Sequence, residues 1–320
     1  MKENKKLFEV EKIQVHDTLG LYYQCTSGDL YSFDKTNRIA QNIYDFRFIN
    51  SGIVYTEREL GDLFVVMNDG SEKVLSGFFY LAFFIRLPKY YALVKNDSPN
   101  DLTNKVVLVD QLFETQKPFK PFRATIDGYF ATGKRNQIIV FDENLNELWK
   151  RELIEMDDSL SDDLRLPRTF FTTSEALIIP LESGQLLAID ILTGELIWKR
   201  ERVGRTALFD NKIYCIADYI IRVLDSKTGE ILQEESMQDL IDTYGFRPTG
   251  AHKVYDKYIF AMASGKPGMV AIYDRQTLEF HEMLKLDEMI PMGTDHLHWH
   301  NGRLYVLDFG KTLHVFEQTA

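Results

Sequence analysis

About every 40 residues the chain returns to a short apolar run that ends in an acidic or polar residue, and a period of that length points to a repeat architecture. With GQLLAID (184–190) as template, further copies stand at GDLYSFD (28–34), DLFVVMN (62–68), KVVLVD (105–110), QIIVFD (137–142), IIRVLD (220–225), GMVAIYD (268–274) and TLHVFE (312–317), eight in all. Each follows another β-like stretch, such as ALIIPLES, KIYCIAD or YIFAMAS, so the two read as a hairpin. A third short strand lies upstream behind an Asp or Asn turn, as in ALFDNK, HKVYDK and LHWHNG, and a fourth follows, as in GELIWKRE and GEILQEES. The prediction is an all-β fold, a β-propeller of four-stranded antiparallel blades spanning residues 1–320 as a single domain. Eight blades are expected, with seven as the alternative if the weak second or third copy is irregular. The template strands carry apolar residues consecutively, as strands covered on both faces do. The last copy ends at Glu317 with no fourth strand after it, so KKLFEVE (5–11), which has no other partner, is expected to close the last blade.

Within AIDILTGELIWKRE (188–201), Asp190 is placed to accept amide hydrogen bonds across a turn. Gly194 is free to take a left-handed conformation, and Trp198 is able to fill space between neighbouring blades. The pattern Ala188-x-Asp190-x-x-Thr193-Gly194-x-x-x-Trp198 resembles the tryptophan-docking motif of quinoprotein-like (pyrroloquinoline-quinone-type) β-propellers. Asp225, Thr228 and Gly229 repeat it with Gln233 in the Trp position, and Asp142 and Trp149 repeat it with one residue fewer between them. The resemblance implies an eight-bladed, WD40-like ring. Some members of the superfamily are quinone-dependent dehydrogenases and others are non-enzymatic scaffolds. This chain lacks the adjacent cysteine pair of the dehydrogenases, so the resemblance implies a non-dehydrogenase member with no quinone cofactor.

A hydrophobic content of 45% and an aromatic content of 13%, with charges scattered throughout, describe a folded chain. The start, MKENKKLFEVEKIQ, has basic residues but no apolar export signal, so a cytoplasmic location is expected, in a bacterial protein. The longest apolar run, GFFYLAFFI (77–85), stops before Arg86 and Pro88. It falls well short of the roughly 20 residues needed to span a bilayer, so no membrane association is expected. Cys25 and Cys215 fit neither a disulfide framework nor zinc spacing. A net charge of −11 argues against nucleic acid and suits a basic protein partner.

In DHLHWH, a strand would turn His296, His298 and His300 to one face, where imidazoles two residues apart bind zinc; the bland alternative is packing and hydrogen bonding between blades. Asp157, Asp158, Asp162 and Asp163 in MDDSLSDD are able to gather oxygens around calcium, although the loop lacks the ordered positions of an EF-hand. GYFATGKR has phosphate-loop spacing but places Arg135 at the metal-ligating position and reads as strand-turn-strand. KPFKPFR interleaves Lys117, Lys120 and Arg123 with Phe119 and Phe122, either to stack bases or as a Pro-ordered turn. No nucleophile elbow or recognisable triad is present.

Three longer segments, 153–168, 237–251 and 284–297, each join an outer strand to the next inner strand and should share one rim. On them Met237, Tyr244, Phe246, Met289 and Met292 offer adaptable or aromatic contacts, unless they pin their own loops. The leading expectation is a cytoplasmic, monomeric, non-catalytic protein-binding scaffold, for example a bacterial immunity or inhibitor protein for a basic toxin. The alternatives are a hydrolase or lyase with an acid pair in the axial channel, or a small-ligand or metal sensor.

Overall fold

A computed structural model describes the backbone of the chain except residues 17–18, 34–37, 50–51, 58–60, 80–90, 96–103, 109–112, 116–123, 127–128, 135, 143–145, 157–159, 161–165, 167–169, 264, 292 and 319–320. Among the described residues the strands form seven antiparallel sheets, six of four strands and one of seven. The first strands of successive sheets pack on one another, as Arg205–Phe209 does on Pro248–Val254, which puts them at the centre. The fourth strand Ile231–Ser236 is exposed along its length.

The core lies between sheets rather than within them. Ile178, Leu186 and Ala188 of one sheet meet Ile213, Cys215 and Leu224 of the next. Tyr214, Ile221 and Val223 then meet Ile259, Ala261 and Ala271, and Phe260, Val270 and Ile272 meet Leu297, Leu304 and Val306. A middle strand is covered on both sides, which is why Tyr258–Ala263 is buried at every position and does not alternate.

The Asp-to-Gly turn does the work its chemistry allows. Asp190 accepts the N–H groups of Leu192 (2.9 Å) and Thr193 (2.7 Å), and Asp225 those of Lys227 and Thr228. Asp274 does the same for Gln276 and Thr277. Amide donors hold the Asp225 and Asp274 carboxyls below the usual carboxylate range. Each indole then reaches across to the next sheet: Trp149 Nε1 donates to Ile191 O at 2.7 Å and Trp198 Nε1 to Ser226 O at 3.2 Å. The ring lies flat against a glycine, where an added Cβ would sit 2.9 Å from Trp149 at Gly194 and 2.8 Å from Trp198 at Gly229. Both glycines have φ near +70°. At the following joint Gln233 replaces the indole and donates to Gln276 O at 3.0 Å, while Leu278, at φ +61°, stands where the other turns have glycine.

The N-terminal strand closes the ring as expected, with shifted bounds. Lys2–Leu7 pairs with Leu313–Glu317, completing the sheet of Arg303–Leu307 and Leu297–His300; residues from Val10 already belong to the next inner strand. His314 fastens this seam, its Nδ1 2.6 Å from a Glu3 carboxylate oxygen and its Nε2 2.8 Å from Asp308 Oδ2. His314 and Asp308 are each 4% exposed.

The eight-copy reading meets one irregularity. The second and third copies share the seven-stranded sheet, where Glu72–Phe79 and Tyr91–Lys95 are linked through the Phe79–Val94 pair. Among the described residues the third copy contributes three strands and joins its neighbour edge to edge, so a count of seven blades fits these sheets.

Two outcomes follow from these joints. His314→Ala leaves Asp308 buried beside a lost partner and should cost about 3–5 kcal/mol in urea unfolding. Gln233→Trp alone drives an indole against Leu278 and should cost about 1–3 kcal/mol. Adding Leu278→Gly should recover most of that loss, read as a coupling energy in a double-mutant cycle.

Candidate functional site

Connections between sheets run beside the hairpins that join second and third strands, so both sets of loops share one rim. Val203 N donates to Gly184 O at 2.8 Å, Met237 N to Tyr219 O at 2.8 Å, and Gly268 N to Glu288 O at 3.1 Å. Segments 237–251 and 284–297 are both on this rim, as is the start of 153–168, where Leu153 N donates to Asn136 O at 2.9 Å. Most of 157–169, including Asp157, Asp158, Asp162 and Asp163, lies outside the described residues, as does all of KPFKPFR.

Of the five side chains singled out as contacts, the structure separates two kinds. Met237 and Phe246 are fully buried and belong to the core between the 205–236 and 248–286 sheets. They anchor the helix Gln238–Tyr244, which Gly245 ends at φ +69°, and present no surface to a partner. The sequence does not distinguish anchor from contact here because the burial comes from a neighbouring sheet. Tyr244 and Met289 are each 38% exposed, with Tyr244 beneath the Lys285 ammonium and against Phe280. Met292 lies outside the described residues.

Large exposed apolar side chains are unevenly distributed among the described residues. Phe8, Tyr44, Tyr219, Tyr244, Met289 and Phe309 lie on this rim, whereas Leu192 alone lies on the opposite one and the others lie on outer strands. Phe8, Tyr219 and Phe309 escape sequence reading, since each sits in a strand-like run. Their signal is the Asp or Glu beside each that marks a tight turn.

Inside the rim a cavity of about 1270 Å³ opens among the inner strands. Glu182, Arg205, Asp218, Tyr219 and Asp295 line it, as does His252. His252 is buried, with Nδ1 2.7 Å from Gly250 O and Nε2 3.0 Å from Tyr214 O, and burial pushes its pKa down. It ties one sheet to the next.

The histidine run folds differently from a plain strand. Residues Thr294–His296 coil into a 3-10 turn, so strand alternation relates only His298 and His300, on Leu297–His300. His298 Nε2 lies 3.1 Å from Asp295 O. Burial first, then the Lys253 ammonium, push His298 down to about 3. Burial likewise lowers Lys253 to about 8, with Asp295 opposing, and lowers His296. Among the described residues no group of three or more His, Cys, Asp or Glu side chains is arranged to hold a metal ion. Tyr129–Lys134, the described part of GYFATGKR, is a strand paired with Gln137–Asp142. Both cysteines are free; burial raises both thiols, Cys215 to about 12, which leaves them poor nucleophiles. No helix among the described residues is long and apolar enough to cross a membrane.

No family model and no curated protein sequence matches the chain. Solved structures do. BamB from Moraxella catarrhalis is similar with a TM-score of 0.62 at 15% identity, covering 99% of each chain. The C-terminal WD40 domain of Sif2 gives 0.67 at 14%, covering 100% of this chain and 98% of that one. Apo AztD from Citrobacter koseri gives 0.53 at 11%, covering 86% of each. At such identities the likeness shows the fold, a β-propeller.

The neutral state of His298 has a consequence with a definite sign. Unfolded, the imidazole takes a proton near its ordinary value of about 6.5; folded, it refuses one until about 3. Stability should therefore fall as pH drops below about 6.5, and His298→Gln should remove roughly 1–2 kcal/mol of the loss between pH 7 and pH 5 in urea titrations.

Proposed function

We propose that this chain is a non-catalytic protein-binding propeller of the quinoprotein-like type, cytoplasmic and monomeric, whose loop-bearing rim is its contact face. The uneven distribution of exposed apolar side chains carries the reading: six stand on this rim and one on the opposite rim, among the described residues. Apolar and aromatic groups held in water on one rigid face are what a recognition surface supplies. The net charge of −11 favours a basic partner and speeds its approach, and a bacterial toxin held by its inhibitor is one such pair. The finer count of eight blades belongs to the same proposal, supported by two strand groups, 45–79 and 91–115, that meet through one pairing.

A second reading is favoured by the cavity of about 1270 Å³, which exceeds a usual small-ligand pocket and is lined by acids and by Arg205. It makes the chain a ligand sensor or a hydrolase or lyase. It differs from the first reading in where damaging substitutions fall: on the cavity-lining Glu182, Arg205 and Asp218, and not on Tyr44 and Tyr244, which lie outside the cavity.

Immobilised protein should retain a stoichiometric basic partner from native lysate. Tyr44→Ser/Tyr219→Ser/Tyr244→Ser should reduce retention at least about tenfold, while Ile197→Ser/Ile231→Ser on the outer strands leaves it unchanged. Equal retention by all three proteins would remove the rim from consideration.

A further inference from the structure

Phe8 and Phe309, 70% and 67% exposed, are the most exposed of the large apolar side chains among the described residues. They come from opposite ends of the chain and both stand at the seam. Phe309 N donates to Met289 O at 2.7 Å, while Val10 N, just past Phe8, donates to Lys311 O at 2.9 Å in the same hairpin. Three separate segments thus bring Phe8, Met289 and Phe309 to one place on the rim.

Their backbones are fixed. Glu9 O accepts from Thr26 N at 2.8 Å, and buried Asp308 accepts Thr312 N at 2.8 Å beneath Phe309. Aromatic groups held on rigid tips lose little freedom when a partner covers them, which is the condition for a strong anchor. Acidic groups flank two of them in the chain. Lys311 is paired with Glu11 and Lys266 with Glu288, while Glu9 and Asp287 make no ion pair among the described residues.

We infer that Phe8, Met289 and Phe309 form a docking site split across the ring's seam, which takes an apolar segment flanked by basic residues on a partner protein. The site rests on the protein-binding reading above and narrows it. Apolar anchors match the aromatic row, and flanking Lys or Arg match Glu9 and Asp287. A second copy is a poorer occupant, because a two-fold contact sets the same acids against each other. A segment gripping both Phe8 and Phe309 also holds the closing strand to its sheet.

The test places photoreactive benzoylphenylalanine at Phe309 of the full chain, and in parallel at Tyr244, with irradiation in native lysate and mass mapping of the adducts. The expected adduct at Phe309 is a segment of another protein with an apolar residue near Lys or Arg. Phe8→Ser should lower its yield at least about tenfold. Asp287→Lys, a surface change that leaves the apolar row intact, should also lower it. An adduct with a second copy, an adduct with an acidic or uncharged segment, or a yield indifferent to both substitutions overturns the inference. Adducts at Tyr244 with none at Phe309 also overturn it and leave the rim reading standing. No adduct at either position ends both.

Discussion

Everything in this ring depends on burial between sheets. A four-stranded sheet of this size has two apolar faces and no helix to cover either, so it becomes stable only when another sheet lies against each face. Ala188 and Leu224 illustrate the arrangement: they belong to different sheets, both are buried, and each is covered by the other's sheet. Because every sheet needs two neighbours, a row of them has unsatisfied ends, and closing the row into a circle is the arrangement that satisfies all of them. The Glu3–His314–Asp308 chain of contacts is where that closure is fastened with side chains as well as with backbone pairing.

What could be read from the sequence was what depends on neighbours in the chain. The Asp190 turn is local backbone chemistry, and its three copies behave alike because each Asp meets the same two amides. The period, the antiparallel pairing and the closing strand follow from runs of a few residues. The indole docking was legible for the same reason, since the glycine it rests on is marked by its own turn.

What the sequence left hidden depends on groups distant in the chain. Met237 and Phe246 look like contact residues in a loop and are buried because a neighbouring sheet arrives over them. His296 falls out of strand register because residues 294–296 coil before the strand begins. The second and third copies share a sheet through an edge pairing that no local pattern encodes. Phe8 and Phe309, separated by nearly the whole chain, become neighbours only once the circle is shut.

The hairpin tip at Asp218 and Tyr219 has both residues in the left-handed region, at φ +51° and +62°. Asparagine and glycine settle there readily, whereas a bulky ring does so against its own backbone preference. Tyr219 is 48% exposed, so little packing compensates for that choice. The molecule therefore forgoes an easy gain in robustness at this one corner, and a chain selected only for endurance would drift toward glycine there.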